Sequence, residues 1–505
     1  MENKKTYTHS EIMVVITALM LVMLLAALDQ TIVSTALPLI AQDLHGLNKI
    51  SWVATAYLLT SAITTPIYGK ISDQLGRKKI FMTAIVIFLV GSVLCGIAQN
   101  MDQLVLARGL QGIGAGGLMS LVLAIVGDII PPRQRGRYMG YFMSVFAVSS
   151  VIGPLLGGFL TDSLSWRWVF FVNIPIGIAA LFAVSTRLHL PIHKQNHDID
   201  YLGAGLLSAS AVCLLLATVW GGTTYAWASN QIIGLLVGGV ILGTLFVLRE
   251  LKAKEPILPL HLFKNDIFTV SVILSFLSGM TMFAALLYIP VYQQTVRGYS
   301  PTQSGLMLLP LVAGLLVAGI NSGRLTSKLG KYRIFPIVGT LVMAFGLWLY
   351  SHVGLTTPIW KLSLWMAVIG IGLGTFMQIM TLAIQNSVER HHMGTATSSA
   401  TFFRSLGSAF GGAIFGSILI NRLSHYLKLS LPADVAGKVN VNSIQQGGNF
   451  QNLPPGVNQA VSQSFVHSFH DLFLLTIPLA LLAFVVALFL RETPLRTSHD
   501  QPVAE

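Results

Sequence analysis

Charge is what this chain has least of. Only 10% of its 505 residues are Asp, Glu, Lys or Arg, while 53% are hydrophobic. A soluble domain carries about 25% charged residues, so a water-soluble globular protein is excluded and lipid is the expected solvent. Cysteine is almost absent too. Cys95 and Cys213 both fall within apolar stretches, which excludes a disulfide framework and a cysteine-built metal cluster. No GxxxxGK[ST] phosphate loop occurs, which removes the usual ATP-driven pump and leaves ion gradients as the expected energy source. The first apolar stretch lacks a small-residue cleavage site, so it is expected to be a retained helix and not a signal peptide.

What is present is a succession of apolar stretches near twenty residues, each long enough to cross about 30 Å of hydrocarbon as a helix. Fourteen such spans are expected, the first over 12–38 and the last over 468–490, with both termini on one side. The mean hydropathy is +0.71. The net charge of +12 is a topology signal, because most of the 31 Lys and Arg fall on one side if the N-terminus is cytoplasmic. Nucleic acid is therefore not an expected partner, and the lipid bilayer is.

Against this background one residue stands out. In LAALDQTIVSTALPLI, Asp29 follows seventeen uncharged residues, and no further charge appears until Asp43. Intramembrane charges are costly and mark a pathway or a partner. Two others are Arg108, in LARGLQGIGAGG near the outer end of the fourth span, and Arg404, about nine residues into the thirteenth. Arg108 either snorkels outward or faces the bundle interior and influences a nearby carboxylate. Counting along the helices places Asp29 in the outer half, on the level of Arg108.

An internal repeat organises the chain. GKISDQLGRKK (69–79) matches GRLTSKLGKYR (323–333) in its glycines and several basic residues, at an offset of 254; Gly157-Gly158 and Gly411-Gly412 repeat the offset. Large transporters are commonly built from two repeated bundles with the substrate site between them. The expected division is a six-helix bundle over 1–187, a linker with two extra helices over 188–266, and a second six-helix bundle over 267–505 with a long outer loop over about 421–466. In the first loop, Gly69 and Gly76 permit a tight turn. Asp73 is placed to accept from the N-terminal amides of a helix in the other half, and Arg77 to pair with Asp128, latching the inner face. Ser327 replaces the aspartate in the second copy, so that latch is expected to be weaker. In span five, Gly153, Gly157 and Gly158 permit close helix approach, and Pro154 removes an amide hydrogen bond.

These strings together (LDQTIVSTALP, GKISDQLGRKK, LARGLQGIGAG, IGPLLGG and WRWVFFVNIPIG) resemble the major facilitator superfamily, specifically its fourteen-helix drug:proton antiporters of the QacA/EmrB type. The resemblance covers essentially the whole chain. It implies an all-α polytopic membrane protein in which Asp29 is the first-helix carboxylate, Arg108 the fourth-helix arginine and 151–158 the antiporter signature. It also implies export of amphipathic, often cationic compounds in exchange for protons. No enzymatic activity, cofactor or metal is expected. Protons are the coupling ion, small molecules the substrates, and a single chain the functional unit. Spans of the second half hold almost no acids, which favours hydrophobic, monocationic, neutral or zwitterionic compounds over dications.

A pocket for varied compounds wants aromatics, Met and a few polar groups. Candidates are Trp52, Tyr57, Phe283, Tyr288, Tyr292, Met377, Gln378, Gln385, Phe402 and Arg404, with Phe376 and Phe403 nearby. His189, His193 and His197 have helical spacing, but Pro191 interrupts any helix through them, so they are not read as a metal face. Two alternatives share the composition: an exporter or flippase of one physiological substrate (a lipid, metabolite or peptide), and a channel. The repeat and the latch-like loop argue against the channel.

Overall fold

The structure, a computed structural model, describes residues 9–44, 50–188, 200–222, 225–253, 256, 258–299, 301–389, 392–430 and 455–496. His189, His193 and His197 lie outside them. The chain forms helices because lipid offers no partner for an open backbone group. The first half holds α1 (His9–Asp43), α2 (Ile50–Leu75), α3 (Arg77–Ile97), α4 (Met101–Ile129), α5 (Pro132–Ser163), α6 (Trp168–Phe171) and α7 (Asn173–Arg187). Then come α8 (Tyr201–Trp220) and α9 (Asn230–Glu250). The second half holds α10 (Asp266–Thr295), α11 (Pro301–Met307), α12 (Leu309–Leu329), α13 (Ile334–Ser351), α14 (Ile359–Ser387), α15 (Met393–Ser430) and α16 (Pro455–Leu488).

Local signals set several helix starts. The Asn100 side chain accepts from the Gln103 amide at 2.9 Å to cap α4, and Asn265 accepts from the Ile267 amide at 2.9 Å to cap α10. Twelve helices or helix pairs among the described residues are long and apolar enough to cross a membrane, by length and composition. Two expected spans, within α2 and α5, are not among the twelve. Hydroxyls dilute the hydropathy of α2, and they are turned toward α4: Thr64 donates to the Ile113 carbonyl and Thr65 to that of Gly116, each at 3.2 Å.

The buried side chains separate by half. One large cluster joins α1, α3, α4 and α5 around Phe81, Phe88 and Phe142, and another joins α10, α13, α14 and α16 around Tyr292, Tyr350 and Phe473. The inserted pair α8–α9 lies across the seam, with α8 packed on both α2 and α15. Leu207, Ala211 and Phe246 meet Phe402 there, while Trp220 stands edge-on to Trp52 at 5.5 Å. Where α8 begins and α9 ends, Arg249 pairs with Asp200 at 3.1 Å. Burial alone would raise the Asp200 carboxyl, but its hydrogen bonds from Arg249 and the Gly203 amide outweigh that and hold it below the usual carboxylate range.

The outer segment expected as a loop over 421–466 is helical at both ends. α15 continues to Ser430 and α16 begins at Pro455. The reason is an apolar stripe inside a polar composition: Leu419, Leu423 and Leu427 recur every fourth residue and are buried with Val461 and Phe465.

The repeat is visible in backbone geometry. Gly76, between α2 and α3, has φ 96°, and Gly330, which ends α12, has φ 73°. They occupy the same position of the two loop copies, 254 residues apart. A Cβ at positive φ costs roughly 1–2 kcal/mol, whereas one added to Gly158 meets nothing within 4 Å. Gly76→Ala and Gly330→Ala are each expected to lower the melting temperature in detergent, with Gly158→Ala unchanged; equal behaviour of the three would show that the loop geometry imposes no glycine requirement.

Candidate functional site

Asp29 lies on α1, about 20 residues from its start, or roughly 30 Å at 1.5 Å per residue. α4 runs the opposite way and brings Arg108 to the same depth after about 10 Å. The two meet inside the first bundle. Arg108 Nη1 donates to Asp29 Oδ2 at 2.7 Å, and both side chains are almost fully buried, at 3% and 0% exposure. The other carboxylate oxygen accepts twice, from Gln111 Nε2 and from Asn173 Nδ2, each at 2.8 Å. Gln111 sits one turn beyond Arg108 and accepts from it at 2.7 Å. Ser92, on α3, receives Asn173 at 2.9 Å and Gln111 at 3.2 Å, and donates to the Phe170 carbonyl at 2.9 Å. Tyr57 lies flat beneath the guanidinium, 4.2 Å from ring centre to Arg108 Cζ. Asp29 is thus tied directly to α4 and α7, and to α3 through Ser92.

A second cluster closes the end at which α1 begins, termed inner because the positive-inside rule favours it as the cytoplasmic end. Asp73, near the end of α2, reaches the first turn of α15 in the other half. Its Oδ2 accepts from the Thr395 amide at 2.9 Å and the Thr395 hydroxyl at 2.8 Å. A helix N-terminus with free amides is a natural anion seat. Arg77 joins Asp73 at 2.5 Å and Asp128 at 2.7 Å, and donates to Ser72 at 2.8 Å. Close approach depends on glycine: a Cβ on Gly69 would overlap Ser398, and one on Gly394 would overlap Arg77 and Asp73. In α5, a Cβ on Gly153 would overlap Thr31 of α1, while Gly158 faces open space. Gly157 is buried and its carbonyl accepts from Thr161 at 2.8 Å. The Pro154 ring is outside the described side chains.

Arg135 also bridges the halves, and sequence reasoning missed it. It is fully buried, donates to Gln385 Oε1 of α14 at 2.9 Å and to the Ile130 carbonyl at 2.6 Å, and reaches the Gly127 carbonyl. Gln385 in turn donates to the Leu123 carbonyl at 3.1 Å. Gln385 therefore sits in the inner closure. Ser92, Gln111 and Asn173 were missed as well; their only signal is an uncharged polar group inside an apolar run.

The remaining pocket candidates separate. Met377 and Arg404 line one small cavity with Ser275, Ser278, Thr381 and Thr401. Tyr288 donates to the Gly412 carbonyl at 2.7 Å and Tyr292 to that of Gly354 at 2.9 Å, both within the core of the second bundle. Phe376 is part of that core as well. Phe283 packs over Gly412, Phe402 and Phe403 against α8, and Trp52 against Trp220. Gln378 is buried on α14.

Two helical bundles joined through an inner closure, with an ion pair buried in one of them, describe a polytopic membrane transporter and not an enzyme. The chain belongs to the Major Facilitator Superfamily, whose family model matches residues 19–412. It is 39% identical to the multidrug transporter protein MdtP of Bacillus subtilis over 470 residues, covering 91% of this chain and 86% of that protein. It is 36% identical to multidrug resistance protein 3 of the same organism, covering 96% of each. Among solved structures the fold is similar to that of the proton:xylose symporter XylE, with a TM-score of 0.64 at 15% identity over 98% of this chain and 99% of that one.

The inner closure has a direct readout. Ser398 is fully buried beside Gly69. In a Cys213→Ala background, Ser398→Cys is expected to react slowly with a charged maleimide from the inner side, and several-fold faster once Asp73→Asn removes the charge held by the Thr395 amide. Unchanged labelling would show that Asp73 does not hold the two halves together.

Proposed function

We propose that this protein is a proton-coupled multidrug efflux antiporter that exports amphipathic compounds, hydrophobic or monocationic, by alternating access across the cell membrane. The reading takes the termini as cytoplasmic, as the positive-inside rule favours. It also takes α2 and α5 as spanning, which gives fourteen helices: a bundle over 1–187, the inserted pair, and a bundle over 267–505.

The observation that carries it is the Asp29–Arg108 pair. It is buried in the first bundle and ties α1 to α4 and α7 through one carboxylate, with α3 joined through Ser92, which accepts from Gln111 and Asn173. A proton taken up by Asp29 cancels the charge that Arg108 pairs with, so protonation changes what holds four helices in register. That is what coupling requires: one site whose occupancy biases two arrangements of the bundles. The relatedness to multidrug transporters supports drug-like compounds as the cargo. In the cycle proposed, substrate binds from the inner side or inner leaflet with Asp29 charged. Outward release lets a proton reach Asp29, and the neutralised site permits return. Asp73, Arg77, Asp128 and Arg135 hold the inner face shut in the outward-directed half of the cycle.

Asp29→Asn keeps the volume and removes the proton site. In everted vesicles it is expected to abolish substrate-dependent proton movement while substrate still binds the purified protein. Undiminished proton-coupled transport by Asp29→Asn would refute the reading.

A further inference from the structure

The second bundle contains a charge that no described residue balances. Arg404 lies nine residues beyond Thr395 on α15, about 14 Å from the inner closure, in the middle of the molecule. Its guanidinium makes no hydrogen bond or ion pair with any described residue. The described acids of this half are all engaged elsewhere. Asp266 pairs with Arg491 at 3.0 Å and Asp471 with Arg422 at 3.3 Å. Glu492 accepts the Tyr332 and Arg333 amides at 2.7 and 3.1 Å, and Glu389 lies exposed at the inner end.

The surroundings of Arg404 are built from three helices. Ser275 and Ser278 come from α10, Met377, Met380 and Thr381 from α14, and Ala400 and Thr401 from α15; they enclose a cavity holding about 10 Å³, room for one water. Three of the four hydroxyls already donate to their own helices: Ser275 to Ser271, Ser278 to Ser275, and Thr401 to Thr397. The Thr381 hydroxyl has no partner among the described residues and is free to donate. An arginine carries five donors and no acceptor, and a half-buried charge without a partner gains from one. A guanidinium with an unengaged hydroxyl beside it and no carboxylate in reach lacks one thing, an anionic group. The methionines offer adaptable apolar contact alongside it. In the first bundle the situation is reversed, since both Asp29 oxygens are already occupied by protein donors.

We propose that Arg404, with Thr381, binds a carboxylate carried by the exported compound, so that the cargo includes zwitterionic or monoanionic amphiphiles. This rests on the export reading above and names a chemical class for its cargo. At about 10 Å³ the cavity holds one water and no carboxylate, so the group enters only as the bundles part, with the hydrophobic body of the compound toward Met377 and Met380.

The test uses two dyes that differ only in this group, tetramethylrhodamine with its free carboxylate and its methyl ester. Binding is followed by fluorescence anisotropy on the purified full-length protein. Wild type is expected to bind both. Arg404→Gln is expected to raise the Kd of the acid about tenfold or more, the scale of a lost charge-assisted hydrogen bond, and to leave that of the ester within about twofold. Arg404→Lys should recover part of the acid binding. Retained ester binding shows that a variant has folded. Equal weakening of both dyes, no change in either, or failure of wild type to bind the acid overturns the proposal. Exchange of chloride for gluconate separates the source of the anion. Chloride that strengthens ester binding in wild type but not in Arg404→Gln, with acid binding indifferent to Arg404, marks a free-anion site and overturns the carboxylate assignment. Wild type that binds both dyes without proton-driven uptake into everted vesicles counts against export alone, and the comparison of dyes still decides the role of Arg404.

Discussion

The rest of the first bundle is arranged around one ion pair removed from water. Placing Asp29 and Arg108 in a low-dielectric interior costs several kcal/mol per charge, and only good geometry with every lone pair used repays it. The protein comes near that condition, with three hydrogen bonds to the carboxylate. One carboxylate oxygen takes the guanidinium and the other takes two amides. To bring those amides within reach, helices must approach more closely than ordinary side chains allow, and α3 and α4 do so on glycine. A Cβ on Gly91 would overlap the backbone of Gln111, and one on Gly114 would overlap that of Phe88. On the other side of α4, Gly112 and Gly116 let α2 in, against Tyr57 and Ser61. The glycine-rich run of α4 is therefore a consequence of the ion pair: the backbones close in so that Ser92, Gln111 and Asn173 can finish its coordination.

That constraint explains why the inner closure has a different character. It spans two bundles that, on the proposed cycle, must part, and among the described side chains it is built from hydrogen bonds at helix ends. Asp73 reaches the first turn of α15, and Arg135 is shared by the Gly127 and Ile130 carbonyls and Gln385 of α14. Both use groups that a helix terminus or a side-chain amide can give up to water. The buried apolar clusters stay largely within their own halves, so separation at this end exposes polar contacts more than core. The inserted pair α8–α9 is the exception, because Phe402 of α15 is buried against its Leu207 and Ala211 while Trp52 of α2 meets its Trp220. Any relative movement of α2 and α15 has to slide against that pair.

How much of this the sequence discloses depends on charge. A lone Asp or Arg in an apolar run is conspicuous, and counting residues along antiparallel helices is enough to put Asp29 and Arg108 at one depth. The loop repeat likewise makes Gly76 and Gly330 equivalent before any dihedral is known. Uncharged polar groups carry no such mark. Asn173 and Gln111 look like ordinary helix residues, and only their packing shows that both amides meet on one oxygen. Arg135 hides for the opposite reason, since it sits among the basic residues of an inner loop and is easily counted as solvated. Aromatics are the least legible, because a ring that lines a cavity and one that fills a core have the same composition. Tyr288 and Tyr292 belong to the core, each with its hydroxyl satisfied by a carbonyl. The outer ends of α15 and α16 were obscured by average polarity, which masked the four-residue stripe of Leu419, Leu423 and Leu427.

The two halves share a fold and differ in what they charge. The first carries an acid held by three hydrogen bonds, and the second carries a base with no partner among the described residues. The loop copies diverge in the same sense, with Asp73 engaged by Thr395 while the buried Ser327 hydroxyl has no hydrogen-bond partner. A duplicated bundle that only needed stability would lose its intramembrane charges in both copies, since each is costly to bury. Keeping one satisfied pair and one unsatisfied cation is economical only if the two sites meet different ligands. A proton suits the first, because it alters a closed network without needing space. A larger anionic group suits the second, because an open guanidinium gains from a partner that arrives with the cargo and leaves with it. On the proposed cycle this division places the coupling ion and the compound in separate bundles. Their exchange is then linked through movement of the bundles and requires no contact between the two ligands.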